Sequence, residues 1–214
     1  MKNILCYGAS NTWGFIPGSF DLRTLGCERY APEVRWPGVL ANKLGKDFHV
    51  IEEGLNGRTT AFTDPIRGEF LNGKTYLYPC VLSHKPLDVV VIMLVTNDLK
   101  NYFNVEAGAI AAGLRQCIFT VRSVTNRAQT KMLVIAPPPI MMIDEDPWYG
   151  IFDQRSVEKS KKLAAEYELI CHYEGCSFLH AGKIIQVSKA DGIHFDDQGH
   201  RVLGEAVAEI IIPL

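Results

Sequence analysis

The sequence predicts a doubly wound α/β domain, a parallel sheet with helices on both faces. Three observations carry this. Short apolar runs rich in Val and Ile alternate with longer amphipathic stretches along the whole chain. The run 87–94 is continuously apolar apart from Asp88, as expected of a parallel strand buried on both faces. At 214 residues, 47% of them hydrophobic and 21% charged, the chain is long enough for one full core and ordinary enough to exclude a disordered or collagen-like polymer. Right-handed crossovers then give a three-layer α/β/α sandwich.

Each element has its own signal. Residues 4–7 form a first strand ended by Gly8. Trp36-Pro37-Gly38 opens a helix carrying Val39, Leu40 and Leu44 on one face, with Pro37 tolerated in the first turn and Gly45 as the stop. Residues 48–51 read as the second strand, and Gly54 to Arg58 as a loop. Asn72-Gly73 starts a helical stretch to His84, stopped by Pro86. The third strand is 87–94. Asn104 is expected to cap a helix bearing Ile110, Leu114, Cys117, Ile118 and Val121. Lys131–Ala136 is the fourth strand, ended by three prolines. An irregular stretch to Gly150 follows, then a helix over 154–173, and Ser177–His180 as the fifth strand. Asp196 caps a last helix with Val202, Leu203, Ala206, Val207 and Ile210 in one stripe. No repeat or linker divides the chain, so residues 1–214 are expected to form a single domain.

The formal net charge of −2, from 22 Lys+Arg against 24 Asp+Glu, argues against a nucleic-acid partner. It fits a site for small uncharged molecules. No apolar run is long enough for a membrane span, and residues 4–7 are too short for a signal-peptide core, so a cytoplasmic location is expected. The six cysteines are scattered, four of them in apolar segments, and no disulfide is expected in a reducing compartment. Cys171, His172 and Cys176 lack the rest of a metal-ligand set.

In an open parallel sheet, ligands bind beyond the carboxyl ends of the strands. Four loops there carry matching groups. Ser10 follows the first strand between glycines and is a candidate nucleophile. His194 is a candidate base, and Asp191, three residues earlier, can fold back onto its other ring nitrogen. The Gly57 N–H, the Asn97 side chain and the Ser10 N–H are candidate donors to an oxyanion. Each group has a plainer reading: a helix cap for Ser10, a turn for Gly57, an Asx turn for Asn97 or Asp98, and a hydrogen-bonded loop residue for His194. Gly8-x-Ser10 could also cradle a phosphate, although the Walker and G-x-G-x-x-G patterns are absent. Asp191, His194, Asp196, Asp197 and His200 could be read as a metal cluster, but Asp196 and Asp197 suit the first turn of a helix.

Taken together, Gly8-Ala9-Ser10-Asn11-Thr12-Trp13-Gly14, then Gly57, then Thr96-Asn97-Asp98, then Asp191-Gly192-Ile193-His194 resemble the four blocks of the SGNH (GDSL-like) hydrolases, in order and spacing. Thr12-Trp13-Gly14, Glu52-Glu53-Gly54-Leu55, Arg58-Thr59-Thr60, Asp64-Pro65 and Pro86-Leu87-Asp88 resemble the small bacterial arylesterase and acyltransferase branch. The resemblance implies a five-stranded, flavodoxin-like sheet and a serine esterase acting on short acyl esters, with hydrolysis or transfer to alcohols. It implies no cofactor and frequent homo-oligomers, and no metal site is expected from the residues. A carbohydrate O-deacetylase of the same family is the alternative reading, and a non-catalytic flavodoxin-like binding module a remote one. Three positions depart from the family: Ala9 for the usual Asp, Asn11 for Leu, and Val95 for Gly. Asn11, Trp13 and Val95, beside the candidate nucleophile and oxyanion donor, are expected to bind substrate. Val95 is expected to sit in backbone that tolerates a β-branched residue without positive φ. Met141, Met142, Trp148 and Phe152 are expected to line an apolar entrance or a subunit contact, or to pack in the core.

Overall fold

A computed structural model of the chain describes residues 1–21, 23–144 and 147–214. Strands β1 (Lys2–Gly8), β2 (Phe48–Gly54), β3 (Val89–Met93), β4 (Lys131–Ala136) and β5 (Ser177–His180) pair in parallel in the order β2-β1-β3-β4-β5. The single turn α1 (Ser10–Trp13) and the helices α2 (Trp36–Leu44), α3 (Gly73–His84), α4 (Ala107–Val124), α5 (Gln154–Glu174) and α6 (Asp197–Ile211) complete the three layers.

The period-2 alternation of the strands separates two cores. Leu5, Tyr7, Val90 and Ile92 face one side, where α3, α4 and α5 bring Leu77, Leu114 and Tyr167. Ile4, Cys6, Val89 and Val91 face the other, where α2 and α6 bring Trp36, Leu40, Leu203 and Val207. β1 and β3 are therefore apolar on both faces, as the sequence predicts for central parallel strands. β2 runs three residues beyond the expected 48–51, because its pairing with β1 continues to Gly8↔Gly54. As an edge strand it carries Glu52 and Glu53 without burying them alone: Glu52 pairs with Arg35 at 2.8 Å and Glu53 with His84 at 3.0 Å.

The caps largely follow the sequence. Asn72 accepts from the Thr75 N–H, Asp196 accepts from the Gly199 N–H, and Asp153 forms a capping box with Ser156. Asn104 departs from expectation. It takes a left-handed conformation, φ 49°, closing a 3-10 turn over Asn101–Phe103, and α4 begins at Ala107 after Glu106. Asn tolerates that conformation better than most residues, and the extra residues let Val105 pack on the core. In α6 the buried line runs through His200, Leu203, Val207 and Ile211, with the expected Val202, Ala206 and Ile210 only partly covered. Gly204 turns that line toward α2, since a Cβ there would lie 2.7 Å from the Trp36 carbonyl oxygen.

Among the described residues no helix is long and apolar enough to cross a membrane. All six cysteines are free.

His200 is fully buried, its Nδ1 accepting from the Trp36 N–H at 3.3 Å. Burial, with the nearby His194 and Arg35, pushes its pKa down to about 3. An unfolded chain takes up a proton near pH 6.5 that the native state refuses. The contribution of His200 to stability is therefore complete above that pH and falls as pH drops toward 3. Urea melts from about pH 7 to about pH 4 should show His200→Gln removing up to one proton, about 1.4 kcal/mol per pH unit, from the acid slope.

Candidate active site

The carboxyl ends of β1, β2 and β3 lie level, because Gly8 is in register with both Gly54 and Met93. α1 starts directly after β1, with Ser10 as its first residue and Ala9 in the N-cap position. Ser10 is therefore not the cap. α1 lies against the end of β2 so closely that a Cβ on Gly54 would meet the Trp13 nitrogen at 2.2 Å. Only a glycine permits that approach.

Ser10, His194 and Asp191 come together in one hydrogen-bonded chain. Ser10 Oγ lies 2.8 Å from His194 Nε2, and His194 Nδ1 lies 2.7 Å from Asp191 Oδ2. A carboxylate only accepts, so Nδ1 carries the proton and Nε2 accepts from the serine hydroxyl. Asp191 Oδ1 accepts from the backbone N–H groups of Ile193 and His194 at 3.0 and 2.9 Å, which closes the Asp-x-x-His segment into one turn. Burial works to raise the Asp191 pKa. The His194 side chain and these N–H groups outweigh it and hold the carboxyl below its ordinary value, so it is charged near neutrality. Phe15 stacks on the imidazole with centroids 4.0 Å apart and planes at 14°. Trp148 donates its indole N–H to the Asp191 carbonyl at 3.0 Å.

Gly57 and Asn97 flank the serine in the same cavity. Gly57 has φ 89°, a left-handed conformation suited to glycine. Asn97 sits in a 3-10 turn (Thr96–Leu99) and gives one amide hydrogen to the Arg58 carbonyl at 3.1 Å, leaving the other for a ligand. The turn is held from below by Asp98, fully buried and accepting from the Thr60 N–H and hydroxyl at 2.7 to 3.1 Å. Burial raises the Asp98 pKa to about 7 against the pull of Thr60. Arg58, also buried, donates to the carbonyls of Gly8 and Glu53, with its guanidinium 4.1 Å from the Tyr7 ring centroid. It ties the ends of β1 and β2 to the Asn97 turn. Arg58 and Asp98 stand in sequence blocks that also hold candidate site residues, but only their burial reveals what they brace.

The cavity measures about 410 Å³, within the usual range for small-molecule sites. In its lining Phe15, Phe20 and Phe152 cluster around Trp148, and Arg67, Lys100 and Tyr102 are the polar residues with long side chains. The three residues expected to bind substrate do not line it. Asn11 clamps the histidine loop to α1: its Nδ2 donates to the Ile193 carbonyl at 3.3 Å and its Oδ1 accepts from the Phe195 N–H at 3.0 Å. Trp13 turns outward under the guanidinium of Arg29, 4.9 Å from its ring. Val95 is buried behind the site with φ 138°, contrary to the expectation of an ordinary backbone. A β-branched residue held there stores strain on the order of 1–3 kcal/mol, which the packed core around it sustains. Of the four apolar residues expected at the entrance, Trp148 and Phe152 line the cavity, whereas Met141 and Met142 lie in a crevice behind them. Met141 braces the site through its N–H, which donates to the Gly192 carbonyl at 2.9 Å.

Neither metal reading taken from the sequence assembles a ligand set. Asp196 caps α6, His200 is buried beside Trp36, and Cys171 packs in the core. Among the described residues, the one group that brings three ligating side chains together is Glu53, Cys80 and His84.

The sequence model of the GDSL-like lipase/acylhydrolase family matches residues 6–202. Solved structures agree. The aryl esterase of M. smegmatis is 40% identical, with all of both chains covered and a TM-score of 0.92. A carbohydrate acetylesterase from Sinorhizobium meliloti is 38% identical over 100% of this chain and 99% of its own, with a TM-score of 0.91. A carbohydrate acetylesterase family member from the same organism is 34% identical over 99% and 97%, with a TM-score of 0.86. A search of the curated proteins gave no match. The strand order, the level strand ends and the match over nearly the whole chain lead to one conclusion: the chain belongs to the GDSL-like lipase/acylhydrolase family.

Proposed function

We propose that this carboxylic-ester hydrolase is a serine esterase for short-chain acyl esters, in which Ser10, His194 and Asp191 act as nucleophile, base and orienting carboxylate. The observation that carries the reading is the unbroken Ser10–His194–Asp191 hydrogen-bonded chain opening into an apolar cavity. Ser10 Oγ attacks the ester carbonyl carbon while its proton passes to His194 Nε2. Asp191 stabilises the imidazolium that forms. The tetrahedral oxyanion is held by the N–H groups of Ser10 and Gly57 and by the free Asn97 amide hydrogen. As the carbonyl re-forms, the C–O bond to the alcohol breaks and His194 returns the proton to the departing oxygen. Water, or an alcohol where the aromatic residues keep water out, then attacks the acyl carbonyl carbon and gives its proton to His194 Nε2, which returns it to Ser10 Oγ as the acyl–Oγ bond breaks.

Similarity to an aryl esterase supports aryl and alkyl esters as substrates, and similarity to carbohydrate acetylesterases supports acetylated sugars as the second reading. Two further features belong to the proposal. Leu25, Ile66 and Tyr149 line the cavity yet are 73%, 71% and 66% exposed, which favours a homo-oligomer that covers its mouth. Six free thiols favour a reducing, cytoplasmic setting.

Ser10→Ala should reduce turnover of p-nitrophenyl acetate to at most the about 10³–10⁴-fold advantage over water that binding and oxyanion donors provide alone, and should abolish labelling by a fluorophosphonate. Unchanged turnover would overturn the reading. Asn97→Ala should cost about 10²–10³ in kcat. A change confined to KM would make Asn97 a binding group and not an oxyanion donor.

A further inference from the structure

The chain as a whole is nearly neutral, but its cavity is not. Among the described residues lining it, Arg67 and Lys100 are cationic and none is acidic. Lys100 is neutralised: its Nζ pairs with Asp64 Oδ2 at 2.9 Å, and the same oxygen accepts from the Tyr102 hydroxyl at 2.8 Å. The other carboxylate oxygen accepts from the backbone N–H groups of Ile66 and Arg67 at 3.0 and 2.9 Å. Burial of Asp64 works against its charge, but these bonds prevail and hold its pKa at about 2. Both its oxygens are thus committed, and it has none to offer the Arg67 side chain. No other carboxylate among the described residues forms an ion pair with that guanidinium. The guanidinium lies directly over Gly57: its Nη1 is 2.6 Å from where a Cβ on that glycine would sit.

An exposed arginine with no ion-pair partner among the described residues therefore stands at the cavity beside a candidate oxyanion donor. We infer that Arg67 forms an anion subsite, and that the preferred esters carry a carboxylate close to the scissile bond. The inference rests on the serine-esterase reading and narrows its substrate class. Arg67 offers five N–H donors in a planar fork suited to a carboxylate, and Asp64 fixes the backbone that carries it. The carboxylate could lie on the acyl or on the alcohol side of the ester, and the two sources are separable.

The test compares kcat/KM for two matched pairs, 4-acetoxybenzoate against phenyl acetate and monophenyl succinate against phenyl butyrate, in the wild type and in Arg67→Gln and Arg67→Glu. For at least one pair, the charged-to-neutral ratio should fall about tenfold or more in Arg67→Gln, the worth of one charge-assisted hydrogen bond, and further in Arg67→Glu. The pair that responds identifies the side. In the wild type, roughly 1 M salt should shrink the same ratio. As a check needing no variant, benzoate should inhibit phenyl acetate hydrolysis more strongly than benzamide. Ratios equal in wild type and Arg67→Gln for both pairs, or equal inhibition by benzoate and benzamide, would overturn the subsite while leaving the esterase reading intact. Absence of phenyl acetate turnover by the wild type would overturn both.

Discussion

Everything at the site depends on three strand ends standing level. Gly8 pairs in register with Gly54 on one side and Met93 on the other, so the loops bearing Ser10, Gly57 and Asn97 leave the sheet at one height. A slip of one residue in any of these strands would move its loop by about 3.3 Å and turn its core side chains to the wrong face. The apolar stretches of β1 (residues 4–7) and β3 resist such a slip only weakly by pattern, because both of their faces are buried. The glycines add the missing specificity. With Gly54 at the end of β2, the backbone of α1 can close on the sheet and hold Ser10 at its rim.

Around that frame the chain spends buried polar groups on position more than on stability. A charge or carboxyl group taken from water is costly, and a hydrogen-bonded partner offsets the cost only when the geometry is good. Asp98 and the Asp64–Lys100 pair meet that condition, Arg58 meets it only through two backbone carbonyls, and each links loops far apart in sequence. Asp98 joins the Asn97 turn to Thr60, Arg58 joins β1 to β2 and to Asn97, and Asp64 carries Arg67. The strained Val95 belongs to the same group. Its positive φ turns the chain from β3 into the Asn97 turn, where the family more often has a glycine. Such rigid support suits the proposed oxyanion role, because hydrogen bonds aimed at a developing charge lose their worth when they move.

Periodicity, turn residues and caps were enough to read the strand-helix order, because they are local properties of the backbone. They placed β4 and β5 within their observed limits and the starts of α2, α3, α5 and α6. They misplaced the start of α4, since Asn104 suits a left-handed turn as well as a cap and only the packing of Val105 chooses between them. The grouping of Ser10, Gly57, Asn97, Asp191 and His194 was also legible, because parallel-sheet topology sends those loops to one rim.

The lining of the cavity was legible only at Trp148 and Phe152, two of the four apolar residues expected at an entrance. Proximity in sequence to Ser10 and Asn97 singled out Asn11, Trp13 and Val95, yet Asn11 is drawn to the backbone of the His194 loop, Trp13 to the Arg29 guanidinium and Val95 into the core. The other lining residues, such as Phe15, Phe20 and Arg67, come from segments with no periodicity to read. The sequence by itself thus determined the layers, the strand order's raw material and the identity of the hydrogen-bonding groups, all of which follow from local chemistry. Only the tertiary structure decided which side chains line the cavity and that Arg67 stands there with no ion-pair partner among the described residues, because direction and charge balance are set by neighbours distant in the chain.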